Sequence, residues 1–78
     1  MDIFVVGAKF ILNGHVHETS YGDGRIGKRF TDYPVRIVRI IEGRRYPILL
    51  GDQYSNQLGW ISEDELDMYA TFVGISYR

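Results

Sequence analysis

The chain has 78 residues, of which 45% are hydrophobic and 14% aromatic, and it contains no cysteine. A chain of this length forms one small domain with a modest core, and the lack of cysteine excludes disulfides, thiolate metal sites and a cysteine nucleophile. The net charge is -1, but basic residues concentrate between Arg25 and Arg45 and acidic residues between Asp52 and Asp67, which predicts a basic side and an acidic side.

The first residues predict neither export nor membrane insertion. Asp2 stands where a signal peptide needs basic residues, and the apolar run over residues 3–6 is too short for a signal peptide or a membrane span. As written, the chain is expected to be cytoplasmic, or to act at a cell wall if it is a fragment of a longer protein or is released by lysis.

Asn13 and Gly14 separate two strand-like runs, residues 9–12 and 15–18. An Asn-Gly pair favours a two-residue turn because both turn positions need a positive φ, so a tight hairpin is predicted. Thr19 then begins a polar, glycine-containing stretch that extends to Thr31 without sustained periodicity. We predict a long loop here, and a loop this long in a small domain is commonly functional.

Residues 33–41 are rich in β-branched side chains and predict a strand. Arg36 and Arg39 are three positions apart, which interrupts strict alternation. A bulge near Ile37 and Val38 would let both arginines face solvent. The side chains predicted to face the core are then Val35, Ile37 and Ile40.

Ser62 and Glu65 match a capping box, which predicts a short 3-10 turn from Ser62 to Leu66. Further strands are predicted over residues 46–50, 58–61 and 68–76. The last strand can pair with residues 3–6 inside one barrel or between two copies, so the expected state is a monomer or a strand-exchanged dimer. The resulting fold class is all-β, with five to six antiparallel strands that close into a small barrel.

Four segments at or between these predicted elements are distinctive: residues 15–24, 30–33, 46–50 and 59–62, the last followed by Leu66. Together they resemble the bacterial SH3-like (SH3b) domains of phage endolysins and cell-wall hydrolases. The resemblance implies one SH3-like barrel over residues 1–78 and a non-catalytic module that recognises peptidoglycan, by its peptide or its glycan, beside the loop from Thr19 to Thr31. Ser62 and Glu65 replace the proline and tyrosine of the eukaryotic polyproline groove, so polyproline binding is not expected.

The candidate ligand-binding residues are aromatic or charged side chains in or beside the predicted loops: Tyr21, Asp23, Arg25, Tyr33, Tyr54 and Trp60. Tyr21 and Tyr54 lie in polar loops, where a tyrosine offers flat apolar surface and a hydroxyl to a peptide or sugar. Trp60, like Phe30 and Tyr46, can instead close an end of the barrel. Asp23 or Arg25 would contact the charged ends of the ligand, although Arg25 can equally belong to a solvated basic face.

The alternative function is that of a stand-alone phage or mobile-element protein that binds and modulates a host protein through its polarised charge. The partner-binding residues would be Glu63, Asp64 and Glu65. These acids can equally form a helix cap and a solvated turn. A nucleic-acid partner is disfavoured because the chain is acidic overall and its acidic residues are clustered.

No metal site, cofactor or catalytic site is predicted. His15 and His17 share one face of a predicted strand, but two ligands do not make a metal site. No serine has the sequence context of an activated nucleophile, so no enzyme activity is predicted.

Overall fold

The computed structural model describes residues 3–22, 25–54 and 56–75. Along the chain its elements are the strands β1 (Ala8–His17), β2 (Ile26–Ile40), β3 (Ile48–Gly51) and β4 (Gln57–Ile61), the helix α1 (Glu63–Tyr69) and the strand β5 (Ala70–Ile75). Every strand pair is antiparallel. The predicted all-β, SH3-like architecture is confirmed as a small closed barrel of four antiparallel strands with β5 as an outer strand.

Strand β1 closes the barrel because both of its edges are paired. Along one edge it pairs with β2 from Lys9 to His17. The other edge is shared: β5 occupies the part from Ala8 to Leu12, and β4 reaches β1 at His17, opposite Trp60. Helix α1 connects β4 to β5 and contacts both β1 and β5. It therefore lies near the place along β1 where the pairing with β5 ends and the pairing with β4 begins.

The core follows the alternation of β1, in which every second residue from Ala8 to Val16 is buried. Within this core the ring of Phe10 contacts the rings of Phe4 and Phe72, whose centroids are 6.3 Å and 5.5 Å away. Leu66 of α1 is fully buried in the same cluster. This apolar side chain therefore anchors the short helix to the barrel.

The predicted bulge in the second strand is confirmed. The pairing of β2 with β3 shifts register between Ile37 and Arg39. Val35 and Ile37 are buried and Ile40 packs partly buried against the core, whereas Arg39 is exposed. The extra residue lets the strand keep its apolar side chains inside the barrel on both sides of the irregularity.

The predicted hairpin at Asn13 and Gly14 is wrong, because both residues lie inside the continuous strand β1. The register between β1 and β2 shifts between Leu12 and Gly14, and the Asn13 side-chain oxygen accepts a hydrogen bond of 2.9 Å from the backbone N–H of Asp32. A Cβ at Gly14 would lie 3.0 Å from the Cβ of Tyr69. The Asn-Gly pair therefore forms an irregularity in the strand, at which α1 approaches closely, and does not form a turn.

Three other boundaries differ from the predictions. Strand β2 begins at Ile26, so the connection between β1 and β2, which we call the β1–β2 loop, covers residues 18–25 and not 19–31. The capping box leads into an α-helix of 7 residues instead of a 3-10 turn, and β5 consequently begins at Ala70. Residues 3–6 form no strand, and the strand beside β5 within the barrel is β1 and not this segment as predicted.

Candidate ligand-binding face

A row of paired residues crosses the outside of the barrel. Arg39 pairs with Leu49, Leu49 with Trp60, Trp60 with His17, and His17 with Ile26. Directly paired residues of antiparallel strands project on the same side of the sheet. Leu49 is buried although it does not belong to the core cluster, which indicates that neighbouring side chains cover it on this outer surface.

His17 lies at the centre of the contacts on this surface. Its ring stacks on that of Tyr46, with centroids 3.6 Å apart and 9° between the planes. Its Nε2 lies 2.9 Å and 3.1 Å from the two carboxylate oxygens of Glu65, and Nε2 is the donor because an ionised carboxylate can only accept. His17 thereby connects β1 with the turn between β2 and β3, residues 41–47, and with α1.

The carboxylate of Glu65 is committed to these internal contacts. Burial raises its pKa, but the hydrogen bonds from His17 and Ser62 and the attraction to His17 outweigh burial and hold the pKa of Glu65 below its usual value of 4.5. Ser62 donates to Glu65 through its backbone N–H at 3.3 Å and its hydroxyl at 3.1 Å. Glu65 therefore stabilises the fold at neutral pH, whereas Glu63 and Asp64 are exposed beside it.

Two arginines of the β2–β3 turn lie over aromatic rings. The guanidinium carbon of Arg44 lies 4.0 Å from the ring centroid of Tyr21, and that of Arg45 lies 5.6 Å from the ring centroid of Tyr46. The backbone N–H of Tyr46 donates to the carbonyl of Ser20 at 3.1 Å, which holds the turn against the β1–β2 loop. Together these contacts form one surface, which we call the aromatic face, made of Tyr21, Arg44, Arg45, Tyr46, His17 and Trp60.

Gly22 permits the close approach of the loop to this turn. Its φ is +78°, a conformation that favours glycine, and a Cβ at this position would overlap the side chain of Arg45 at Cδ. The stem of Arg45 is therefore positioned against Gly22 on one side and beside the ring of Tyr46 on the other.

Of the predicted ligand-binding residues, Tyr21 and Trp60 belong to the aromatic face. Tyr21 is 68% exposed, while Trp60 is half-buried on β4. Arg25 lies at the end of the β1–β2 loop, where its guanidinium is 3.9 Å from the carboxylate of Glu18 and both side chains are largely exposed. Asp23 lies outside the described residues.

Tyr33 and Tyr54 have their described contacts elsewhere. The ring of Tyr33 packs against that of Phe30, with centroids 5.0 Å apart, and Phe30 is buried in the core. Tyr54 is 76% exposed in the turn between β3 and β4, where its backbone N–H donates to Asp52 at 2.8 Å. The described contacts do not connect these two tyrosines with Tyr21.

The candidate ligand-binding residues predicted from the sequence do not include His17, Tyr46, Arg44 or Arg45, although the two arginines end the basic segment that begins at Arg25. The consecutive residues Arg-Arg-Tyr before a strand were the available signal. That signal does not reveal that Arg44 covers the ring of Tyr21, because these two residues are more than twenty positions apart.

A shallow groove of about 220 Å³ lies on another part of the barrel, lined by residues of β1, β2 and β5 and by Gln53. It contains two basic side chains, Lys9 and Arg36. Arg36 donates to the carbonyl of Gln53 at 3.2 Å. None of the predicted ligand-binding residues lines this groove.

Comparison with protein-family models, curated proteins and solved structures found no match for this chain. Within residues 3–22, 25–54 and 56–75, no three histidine or acidic side chains are grouped so that they could hold a metal ion. No helix in the described part of the chain has the length and hydropathy needed to cross a membrane.

Proposed function

We propose that this protein is a non-catalytic binding module that recognises bacterial cell-wall peptidoglycan, through its peptide or its glycan, on the aromatic face. The observation that carries the proposal is the position of Tyr21. Its side chain is 68% exposed, yet its ring is covered by Arg44 at 4.0 Å. A large aromatic side chain held at the surface in this way is ready to contact a ligand.

Physical chemistry favours this surface for a peptide or sugar ligand. An aromatic ring offers flat apolar area with few rotatable bonds, and its hydroxyl adds a hydrogen-bonding group. Because Arg44 and the β1–β2 loop already position Tyr21, binding costs less conformational entropy than it would for an unsupported side chain. The resemblance to SH3b domains supplies the class of ligand.

The chemistry of the same face favours binding over catalysis. The carboxylate in contact with His17, that of Glu65, is also hydrogen-bonded to Ser62 and caps α1. A residue pair that holds the fold together in this way is a poor general acid or base, because proton transfer would disturb the helix cap.

Sedimentation with purified peptidoglycan sacculi tests the proposal. We expect the wild-type protein to sediment with sacculi, and Tyr21→Ala to weaken this binding about tenfold, as the loss of a central aromatic contact does at other interfaces. Tyr54→Ala is the matched control, because Tyr54 is also a largely exposed loop tyrosine but lies outside the aromatic face. Failure of the wild type to bind sacculi of any wall type would contradict the proposal, as would equal losses in the two variants.

A second candidate function is the binding of a host protein through the acidic side of α1. Glu63, Asp64 and Asp67 are exposed and form no ion pair within the described part of the chain. Such a surface suits a basic partner by charge complementarity. Reversal of these three charges to lysine, which leaves Glu65 in place, would abolish a stoichiometric complex isolated from lysate if this function is correct. Retention of the complex in the reversed variant would contradict it.

A further inference from the structure

We infer that Arg44 and Arg45 form an oxyanion site that binds a carboxylate group of the ligand. The inference deepens the proposed function, on which it rests for the identity of the ligand as a wall peptide. The geometry of the two guanidinium groups argues for the site itself.

Both arginines are positioned by contacts that leave their charge uncompensated. Arg44 is half-buried with its guanidinium over Tyr21. The stem of Arg45 packs against Gly22, and its guanidinium lies near the ring of Tyr46. Neither arginine has an acidic partner within ion-pair distance among the described residues.

Two acids on segments that contact this site already have partners. Glu65 is bound by His17, and Glu18 lies 3.9 Å from Arg25. The two guanidinium groups therefore keep a local positive charge in a protein whose net charge is negative. Arg44 is half-buried, whereas Arg45 is exposed. The half-buried guanidinium gains free energy when an anion binds to it, because it has no counter-ion within ion-pair distance among the described residues.

The stacked geometry also suits recognition of an oxyanion. When a guanidinium lies over an aromatic ring, its face is covered but the N–H groups at its edge remain available as donors. These donors can form two parallel hydrogen bonds with a carboxylate or phosphate. Because the rings already hold the guanidinium groups, less side-chain entropy is lost on binding.

Charge favours a single carboxylate over a polyanion. The acidic residues of α1 are joined to this site through the contacts of Glu65 with His17 and of His17 with Tyr46. Repulsion from Glu63 and Asp64, which are exposed in the first turn of α1, disfavours a chain of phosphates but affects a single carboxylate less. Phosphate shares the hydrogen-bonding chemistry, so it is a separate arm of the test.

Nuclear magnetic resonance of the whole protein tests the site without any cell wall. The probes are N-acetyl-dialanine with a free carboxylate, the same dipeptide as its amide, and inorganic phosphate. We expect the free acid to cause saturable shifts of the Arg44 and Arg45 Nε–Hε signals and of the Gly22 and Tyr46 amide signals, with smaller shifts from phosphate. Equal shifts from the amide, stronger binding of phosphate than of the free acid, or equal shifts at all arginines would overturn the inference.

Variants make the test specific to the two guanidinium groups. We expect Arg44→Gln and Arg45→Gln each to weaken binding of the free acid about tenfold, a usual effect of losing a charge-assisted hydrogen bond. Arg29→Gln removes the same charge at an exposed position on β2 and should leave binding unchanged. An equal loss in the control would show that only net charge matters and would contradict a defined site.

The two levels of the proposal fail in different ways. If the protein binds the free acid at Arg44 and Arg45 but no sacculi, the proposed function is wrong and the oxyanion site stands. If it binds sacculi but gives no localised response to the free acid, the inference about the arginines is wrong while the proposed function stands.

Discussion

The imidazole of His17 lies parallel to the ring of Tyr46 at 3.6 Å while its Nε2 binds the carboxylate of Glu65. These three residues come from β1, from the β2–β3 turn and from α1. The side chain of His17 is only 15% exposed, so its contacts are made partly out of water. One histidine thus joins three separate segments beneath the aromatic face.

Replacement of His17 by alanine should destabilise the protein by about 2 kcal/mol, because it removes both a ring stack and a hydrogen bond to a charged group. His15→Ala is the matched control: His15 lies on the same side of β1 but is exposed, and its loss should change stability by no more than about 0.5 kcal/mol. Urea unfolding of both variants measures the difference, and equal effects would contradict the role assigned to His17.

Stability should fall with acidification in a manner that depends on Glu65. The folded pKa of Glu65 is lower than its usual value of 4.5, so its stabilising effect is fully present above that value and is lost as pH falls through the folded pKa. Wild type should therefore be more stable than Glu65→Gln at neutral pH, and the difference should disappear in acid. Denaturant unfolding across this pH range gives the measurement; a difference independent of pH would exclude Glu65 as the titrating group.

Gly22→Ala should show whether the position of Arg45 affects ligand binding separately from the cost of backbone strain. Gly22 and Gly43 both have positive φ, at +78° and +86°, but a Cβ would overlap Arg45 only at Gly22 and would meet nothing within 4 Å at Gly43. Each substitution should cost about 1–2 kcal/mol through the left-handed backbone. The flexible Arg45 side chain can move away from the new Cβ, so the overlap should add little to the loss of stability. Gly22→Ala should instead weaken binding of N-acetyl-dialanine more than Gly43→Ala does. Equal affinities in the two variants would contradict this role of Gly22.

Gly59→Ala should weaken the closure of the barrel. A Cβ at this position would lie 2.8 Å from the Cβ of Val16 and 2.9 Å from the carbonyl oxygen of His17, both of which belong to the neighbouring strand. We expect a loss of about 3 kcal/mol, since neither atom can move without displacing β1. Gly74→Ala, on β5, meets nothing within 4 Å and should be nearly neutral. Thermal unfolding compares the two, and a neutral Gly59→Ala would contradict the tight contact of β4 with β1.

Local chemistry could be predicted from the sequence where the determining atoms are close along the chain. The capping box requires only Ser62 and Glu65, three residues apart, and it is present. The bulge follows from the spacing of Arg36 and Arg39 within one strand and is also present. The order of strand-like runs separated by polar segments predicted the small all-β barrel, because short antiparallel strands must close on themselves to protect their edges.

Tertiary contacts decided the parts that the local pattern could not. Asn13 and Gly14 have the composition of a turn, but pairing with β2 and the approach of Tyr69 keep them inside β1. Glu65 lies in a run of acidic residues that is typical of an exposed surface, but His17, 48 positions away, binds its carboxylate.

By itself the sequence determined a small β-barrel with a bulged second strand and a capped helix start, because each of these depends on residues that are neighbours along the chain. Only the tertiary structure decided which aromatic and charged side chains meet. Tyr21 lies under Arg44, and His17 lies between Tyr46 and Glu65. These contacts depend on how the strands close around the core, and periodicity along one strand carries no information about which residues of distant segments that closure brings together.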